Sequence, residues 1–290
     1  MPTTPLPPAG AGGRVALGVS YHGQGFSGWQ SQPSGNTVQD HLEAALGRFA
    51  ALAAPLPTLC AGRTDAGVHG LMQVVHFDAP VQRTPFSWVR GTNAFLPPGI
   101  AVQWAHPVPA EFHARACATA RRYAYVLLQS PVRPSVEAGR VGWVFHPLDG
   151  EAMRAAAQYL LGEHDFTSFR ASACQAKTPI KTLHRIDIHR RGLPASEAEA
   201  GQDATCYWRF EFEGNAFLHH MVRNIMGCLL EIGQEQYPIE HIDVMFAAED
   251  RKAAGVTAPA DGLYFIQAYY PEQFDLPKVA LGPQWLNWPE

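Results

Sequence analysis

The chain has 290 residues, enough for one long domain or two ordinary ones, and its 47% hydrophobic and 17% charged residues are ordinary for a soluble protein. It contains no apolar run long enough to span a bilayer and no basic segment leading into an apolar stretch, so neither a membrane span nor a secretory signal is expected, and the cytoplasm is the expected compartment. The net charge of -4 is uneven: ten acidic residues against three basic from Glu231 onward leave residues 1–230 at +3, so an anionic partner has local docking sites on an acidic protein.

In chain order, residues 1–13 (MPTTPLPPAGAGG) are rich in Pro and Gly with nothing to bury, and read as a disordered tail. RVALGVSY (Arg14 to Tyr21) alternates like a strand, and the Gly-rich YHGQGFSGWQ after it reads as a loop. Thr37 and Asp40 match a capping box, and Val38, Leu42, Ala45, Leu46, Phe49 and Leu52 recur at helical spacing. CAGRTDAGVHG then leads into the strand QVVHFDA, and Thr84 with Pro85 opens a second helix that Pro97 and Pro98 close. AVQWAHPV, RRYAYVLLQ and VGWVFHP are further strands.

In the second half, a helix begins near Asp149 and turns Met153, Ala156, Ala157, Leu160 and Leu161 inward. The strands LHRIDIHRR and CYWRFEFEG flank LPASEAEAGQDAT, read as a long hairpin loop. NAFLHHMVRNIMGCLLEIG reads as one strong helix with an apolar stripe from Phe217 to Leu230, interrupted by His219, His220, Arg223 and Asn224. PIEHIDVMFAAED is another helix and GLYFIQAYY a last strand. The pattern predicts an α+β fold, a largely antiparallel mixed sheet built from two similar halves with flanking helices: residues 14–110, 111–275, and a tail over 276–290.

The densest polar cluster is Gly62-Arg63-Thr64-Asp65-Ala66-Gly67-Val68-His69-Gly70. Glycines around one carboxylate permit close approach of a large ligand, and Arg63 and Asp65 share a face if the chain is extended. The same residues also make a good turn, with Arg63 as an incidental partner. HARACATARRYAY places Arg115, Arg121 and Arg122 beside Tyr123 and Tyr125, a combination suited to phosphates and unstacked bases, although one of the tyrosines is expected to pack in the core. Arg223, on a mostly apolar helix, needs a carboxylate partner, and Asp65 is the candidate. The five cysteines are scattered singly and expected to be reduced. The thirteen histidines fall in no zinc-like spacing, and no P-loop, G-x-G-x-x-G or G-x-S-x-G element occurs, leaving carboxylate chemistry without metal or cofactor.

GRTDAGVHG, together with FSGWQ, FHAR, ARRYAY, LLGEHDFTSFR, NAFLHHMVRNIMG and DGLYFIQAYYPE in the same order, resembles the A-type tRNA pseudouridine synthases over nearly the whole chain. The resemblance implies the pseudouridine synthase fold, a homodimer, no cofactor, and isomerisation of uridines 38, 39 and 40 in the tRNA anticodon stem-loop. By its register Asp65 is the catalytic aspartate, Tyr123 the ring that stacks on the target base, Arg223 the partner of the aspartate, and Arg63 the base-flipping cation. Arg83, Phe112, His113, Arg115, Cys174, Gln175 and Lys177 fall at RNA-contact positions. A carboxylate glycoside hydrolase would need a second positioned acid that GRTDAGVHG does not offer, and a non-catalytic RNA-binding protein would use Asp65 only as a turn residue.

Overall fold

The computed structural model describes residues 12–172, 174–192, 205–279 and Gly282. Residues 1–11, most of the LPASEAEAGQDAT segment and the last residues of the 276–290 tail lie outside the described residues, so the expectations about them do too. Gly12 and Gly13, read from the sequence as part of the tail, are hydrogen-bonded instead: Gly12 N–H donates to the Ala79 carbonyl at 3.1 Å, and Ala79 N–H to the Gly13 carbonyl at 2.8 Å.

The chain forms two compact units. Among the described residues the first runs to Thr119 and resumes at Phe265, and the second is residues 120–264, so the division falls after Thr119 rather than after residue 110. The strand β10 (Leu263–Tyr269) accounts for that return. From Phe265 onward it lies beside a first-unit strand, and the Thr119 N–H donates to its Tyr269 carbonyl at 2.9 Å.

In the first unit, β1 (Arg14–Tyr21) pairs antiparallel with both β3 (His69–Asp78) and β4 (Ile100–Val108), and the short β2 (Leu59–Cys60) pairs with β3. Alternation sorts the faces: Val15, Leu17, Val19 and Tyr21 of β1 join Val75, Phe77, Val102 and the helical residues Val38, Leu42, Leu46 and Trp88 in one buried cluster. Helix α1 (Val38–Phe49) starts at the expected capping box, with the Thr37 side chain accepting from Asp40 N–H and the Asp40 side chain accepting from Thr37 N–H. It stops sooner than the apolar spacing suggested. Ala51 turns left-handed at φ 57°, and Leu52, expected inward, is 39% exposed. Helix α2 (Pro85–Asn93) is capped by Thr84, whose hydroxyl accepts from Ser87 N–H, with proline in its first turn.

In the second unit, β5 (Ala120–Gln129), β9 (Cys206–Gly214), β8 (Ile180–Gly192) and β7 (Gly162–Asp165) form antiparallel neighbours in that order, and β6 (Gly142–Val144) lies parallel to β5. Trp208, Phe210 and Phe212 of β9 are buried, as are Met153, Ala156 and Ala157 of α3 (Gly150–Tyr159) and Ile225, Met226 and Leu229 of α4 (Met221–Gly233). Asp149 caps α3, accepting from Glu151 N–H at 2.8 Å and Ala152 N–H at 3.0 Å. Helix α5 (His241–Ala248) follows.

The alternate residues of β9 carry charge instead. Glu211, side chain 8% exposed, takes both Arg122 and Arg209 as ion-pair partners, so this carboxylate is shared between two guanidinium groups.

A second helix, like α1, is shorter than the sequence suggested. The segment 215–233 is helical only from Met221, because His220 sits in the left-handed region at φ 62°. Phe217 and Leu218 are therefore not part of a helical stripe, and His219 and His220 form the turn that feeds the helix. Helical periodicity cannot separate such an apolar lead-in from the helix proper, because both segments bury their large side chains. Among the described residues no helix is long and apolar enough to cross a membrane.

Candidate active site

Asp65 lies in the loop between β2 and β3, and the backbone around it is fixed at nearly every step. Below it, Ala61 N–H donates to the Val74 carbonyl at 2.8 Å, and the buried Gln73 amide bonds to both the N–H and the carbonyl of Gly62. Asp65 then heads a turn, its carbonyl accepting from Val68 N–H at 3.1 Å, with Gly67 at φ 81° where that turn requires a left-handed residue. The turn reading of DAG is thus correct for the backbone. It does not compete with chemistry, since it leaves the side chain half-buried between the exposed Arg63 and the buried Thr64, Val68 and His69.

The Gly-rich loop after β1 clamps this turn from the side. Trp29 N–H donates to the Thr64 carbonyl at 3.0 Å, and the hydroxyls of Tyr21 and Thr64 are hydrogen-bonded at 2.8 Å in a buried position. Gly23 N–H donates to His69 Nδ1 at 3.0 Å, which makes Nδ1 an acceptor and leaves the proton of a neutral ring on Nε2. Gly28, at φ 86°, passes so close that an added Cβ would lie 2.8 Å from the Thr64 carbonyl oxygen and 3.0 Å from the Asp65 carbonyl carbon. Glycine is needed there for both conformation and space. Nothing local in the sequence marks Tyr21, Gly28 and Trp29 as supports of Asp65, although FSGWQ is one of the segments that carry the family resemblance. Only the fold brings residues 21–29 against residues 64–69.

The same unit presents the other first-half candidates unequally. Phe112 is 0% exposed, its ring packed against His76, Tyr270 and Phe274, so it cannot offer a face to RNA and instead anchors its loop from inside. Arg14 completes that anchor. It pairs with Asp78 at 2.9 Å through Nε and donates through Nη1 to the Ala110 and Phe112 carbonyls. His113 is half-buried and accepts at Nδ1 from Arg115 N–H at 3.1 Å and Ala116 N–H at 3.2 Å. Burial, with Arg14 and Arg115 adding repulsion, pushes its imidazole below the usual range, which suits an acceptor. Arg115 and Arg83 are exposed. Burial pushes the Cys60 thiol up to about 12 despite the nearby cations Arg63 and Arg115, so it is not a nucleophile at neutral pH.

In the second unit, Tyr123 is 8% exposed on β5, with the Phe217 ring edge-on at 5.0 Å and 72°. Tyr125, two residues on, is fully buried and donates to the Pro259 carbonyl at 3.0 Å, the core role expected of one of the pair. Arg121 donates to the Asn215 carbonyl at 2.8 Å and Arg122 is paired with Glu211, so neither guanidinium is a bare phosphate ligand. Arg223, in the first turn of α4, is half-buried. Its Nε donates to the Ala258 carbonyl at 2.8 Å, and its own carbonyl accepts from Ala258 N–H at 3.0 Å, which ties the helix start to residue 258. Next to it, the buried Asn224 donates to the Phe169 carbonyl and accepts from Arg251 and Thr257. Ala171 N–H bonds the His219 carbonyl at 2.8 Å, setting the half-buried Cys174 and the exposed Gln175 and Lys177 on a loop tied to the turn before α4.

The family model for tRNA pseudouridine synthase matches residues 18–115 and 156–271, which include Asp65 and Arg223 but not Tyr123. The chain is 68% identical over 278 residues to the tRNA pseudouridine synthase A of Paracidovorax citrulli (strain AAC00-1), covering 94% of this chain and 99% of that protein. It is 67% identical over 282 residues to the protein of that name from Delftia acidovorans (strain DSM 14801 / SPH-1), with 94% and 99% covered. Against the one from Variovorax paradoxus (strain S110) it is 61% identical over 267 residues, with 92% and 95% covered. A fold of two α+β units, a rigidly backed Asp in GRTDAGVHG, and this extent of agreement lead to one conclusion: the chain belongs to the tRNA pseudouridine synthase family and is an isomerase acting on tRNA uridine.

Proposed function

We propose that this enzyme converts uridines 38, 39 and 40 of the tRNA anticodon stem-loop to pseudouridine, with the carboxylate of Asp65 as its catalytic group. The observation that carries the reading is the contrast within one loop: the backbone on both sides of Asp65 is held by Trp29, Val68 and Gln73, and the neighbouring Thr64 hydroxyl by Tyr21, while the Asp65 side chain itself stays partly open. A reacting group held on locked backbone avoids the entropy of being positioned at each turnover. Uracil must leave the stack, detach from its ribose, turn, and rejoin through carbon. Either role for the carboxylate, nucleophile toward sugar or ring, or base toward a sugar proton, requires it ionised.

In this reading Arg223 is the cation that keeps Asp65 charged, Tyr123 stacks on the target base, and Arg63 helps to turn the nucleotide out. Arg83, His113, Arg115, Cys174, Gln175 and Lys177 contact RNA, and Phe112 supports that surface from beneath. The enzyme works as a homodimer in the cytoplasm and needs no cofactor, since the carbon-linked glycoside is the stable product and no energy input is required.

The test is incubation with unmodified tRNA transcripts followed by mapping of pseudouridine at single-nucleotide resolution. Product is expected at 38–40 and nowhere else, and transcripts with cytidine at all three positions should yield none. Asp65→Ala should lower turnover by roughly 10²–10⁴-fold or more while leaving folding and tRNA affinity nearly intact. Undiminished product from Asp65→Ala, or product outside the anticodon arm, overturns the reading.

A further inference from the structure

Away from the Asp65 loop, α1, α2 and the residues flanking α2 carry three guanidinium groups over three phenyl rings. Arg48 Cζ lies 4.4 Å from the Phe95 ring centroid, Arg90 Cζ 5.5 Å from Phe86, and Arg83 Cζ 5.8 Å from Phe49. All three arginines are exposed, and among the described residues none of them pairs with a carboxylate. Phe86 is 68% exposed and Phe95 39%. A shallow depression of about 380 Å³ opens between Phe49, Arg83, Phe86, Ser87, Arg90 and Gly91. Its floor is set by Gly91, where an added Cβ would meet the Phe49 ring at 1.9 Å.

Arg48 and Arg90 each stand in the last turn of a helix, where a cation offsets the helix dipole. That accounts for two charges but not for the exposed phenyl ring beneath Arg90, nor for Arg83, which lines the depression together with Arg90, while Arg48 stands over Phe95 outside it. In a chain of net charge -4, Arg83 and Arg90 in one depression, with Arg48 on the adjoining end of α1, are a local excess of positive charge. Arginine fits phosphate oxygens in a fixed fork, and an open ring beside it offers a stacking face to a base or ribose.

We propose that this α1–α2 surface is a second RNA-docking patch, in which Arg48 and Arg90 neutralise backbone phosphates of the bound tRNA and Phe86 receives an unstacked base or sugar. It rests on the tRNA-modifying reading and adds to it a contact outside the catalytic loop. Arg83, which already falls at an RNA-contact position by family resemblance, borders the patch and is left unaltered in the test.

The experiment measures the Kd of full-length tRNA across a salt series for the wild type, Arg48→Gln/Arg90→Gln, and Phe86→Ala, with pseudouridine formation by the wild type followed in parallel. Losing two phosphate contacts lowers the slope of log Kd against log salt by about 1.8, so binding at 0.15 M salt weakens about 30-fold if the electrostatic part vanishes near 1 M. Phe86→Ala is expected to weaken binding several-fold with the slope unchanged. Because all three side chains are exposed, circular dichroism should report folded variants; Arg48→Lys/Arg90→Lys, which keeps the charge, should retain most of the wild-type slope. Wild-type binding by the double variant at every salt overturns the patch even though the enzyme makes pseudouridine. Absence of product from the wild type instead overturns the functional reading on which it rests. A changed oligomeric state with unchanged RNA affinity assigns the surface to a protein contact and also overturns the proposal.

Discussion

Gly28→Ala tests whether the clamp on the Asp65 loop is catalytic support or merely packing. The new methyl would lie 2.8 Å from the Thr64 carbonyl oxygen and 3.0 Å from both Ala66 N and the Asp65 carbonyl carbon, all backbone atoms that no rotamer change can move aside. Ordinary contact begins at 3.4 Å, so relief of the closest approach requires a displacement of about 0.6 Å (3.4 less 2.8) in the residues flanking the carboxylate. The left-handed backbone costs about 1–2 kcal/mol with any side chain, and overpacking adds about 1–3 kcal/mol. A misplacement of about 1 Å costs on the order of 10² in rate, so a shift of this size should lower kcat roughly tenfold.

Gly25→Ala is the matched control: its φ of 85° is nearly that of Gly28 at 86°, yet an added Cβ there meets nothing within 4 Å. It should carry only the backbone strain, about 1–2 kcal/mol in urea unfolding, with kcat near the wild-type value. Single-turnover conversion of tRNA gives the rate, and urea unfolding gives the stability. Equal kcat losses in the two variants, or a wild-type rate in Gly28→Ala with the expected stability loss, would refute the claim that this contact positions Asp65.

Two further predictions concern stability. Burial, aided by His113 and Arg14, pushes the imidazole of the fully buried His76 down to about 4 from the ordinary 6.5. Its contribution is complete above pH 6.5 and is lost as pH falls from 6.5 to about 4, where the unfolded chain binds a proton that the fold excludes; about 2.5 units correspond to roughly 3 kcal/mol. Urea unfolding of His76→Gln should therefore show a shallower loss between those pH values, and a slope identical to wild type would contradict the assignment. Glu211→Ala strands Arg122 beside Arg209, whose side chain is only 9% exposed, and should cost about 3–5 kcal/mol, whereas Glu211→Gln should cost less because it still accepts a hydrogen bond. If calorimetry finds the alanine variant as stable as wild type, the shared carboxylate is not holding β5 to β9.

Much of the fold could be read without coordinates because it rests on local rules. Strand alternation marked Arg14–Tyr21 and Cys206–Gly214 to the residue, and the Thr37–Asp40 box marked the start of α1, since side-chain period and capping act over a few residues. The motif around Asp65 was legible for a similar reason: glycine, carboxylate and cation lie within nine consecutive positions.

Tertiary packing decided what no local rule could reach. It buried Phe112 and left Arg83 exposed, spent Arg122 on Glu211, ended α1 before Leu52, and delayed α4 until after a left-handed His220. It also brought Tyr21, Gly28 and Trp29 against Thr64 and Asp65. Each of these outcomes depends on which surfaces meet across tens of residues of chain, where burial and pairing energies are set by neighbours in space rather than in sequence.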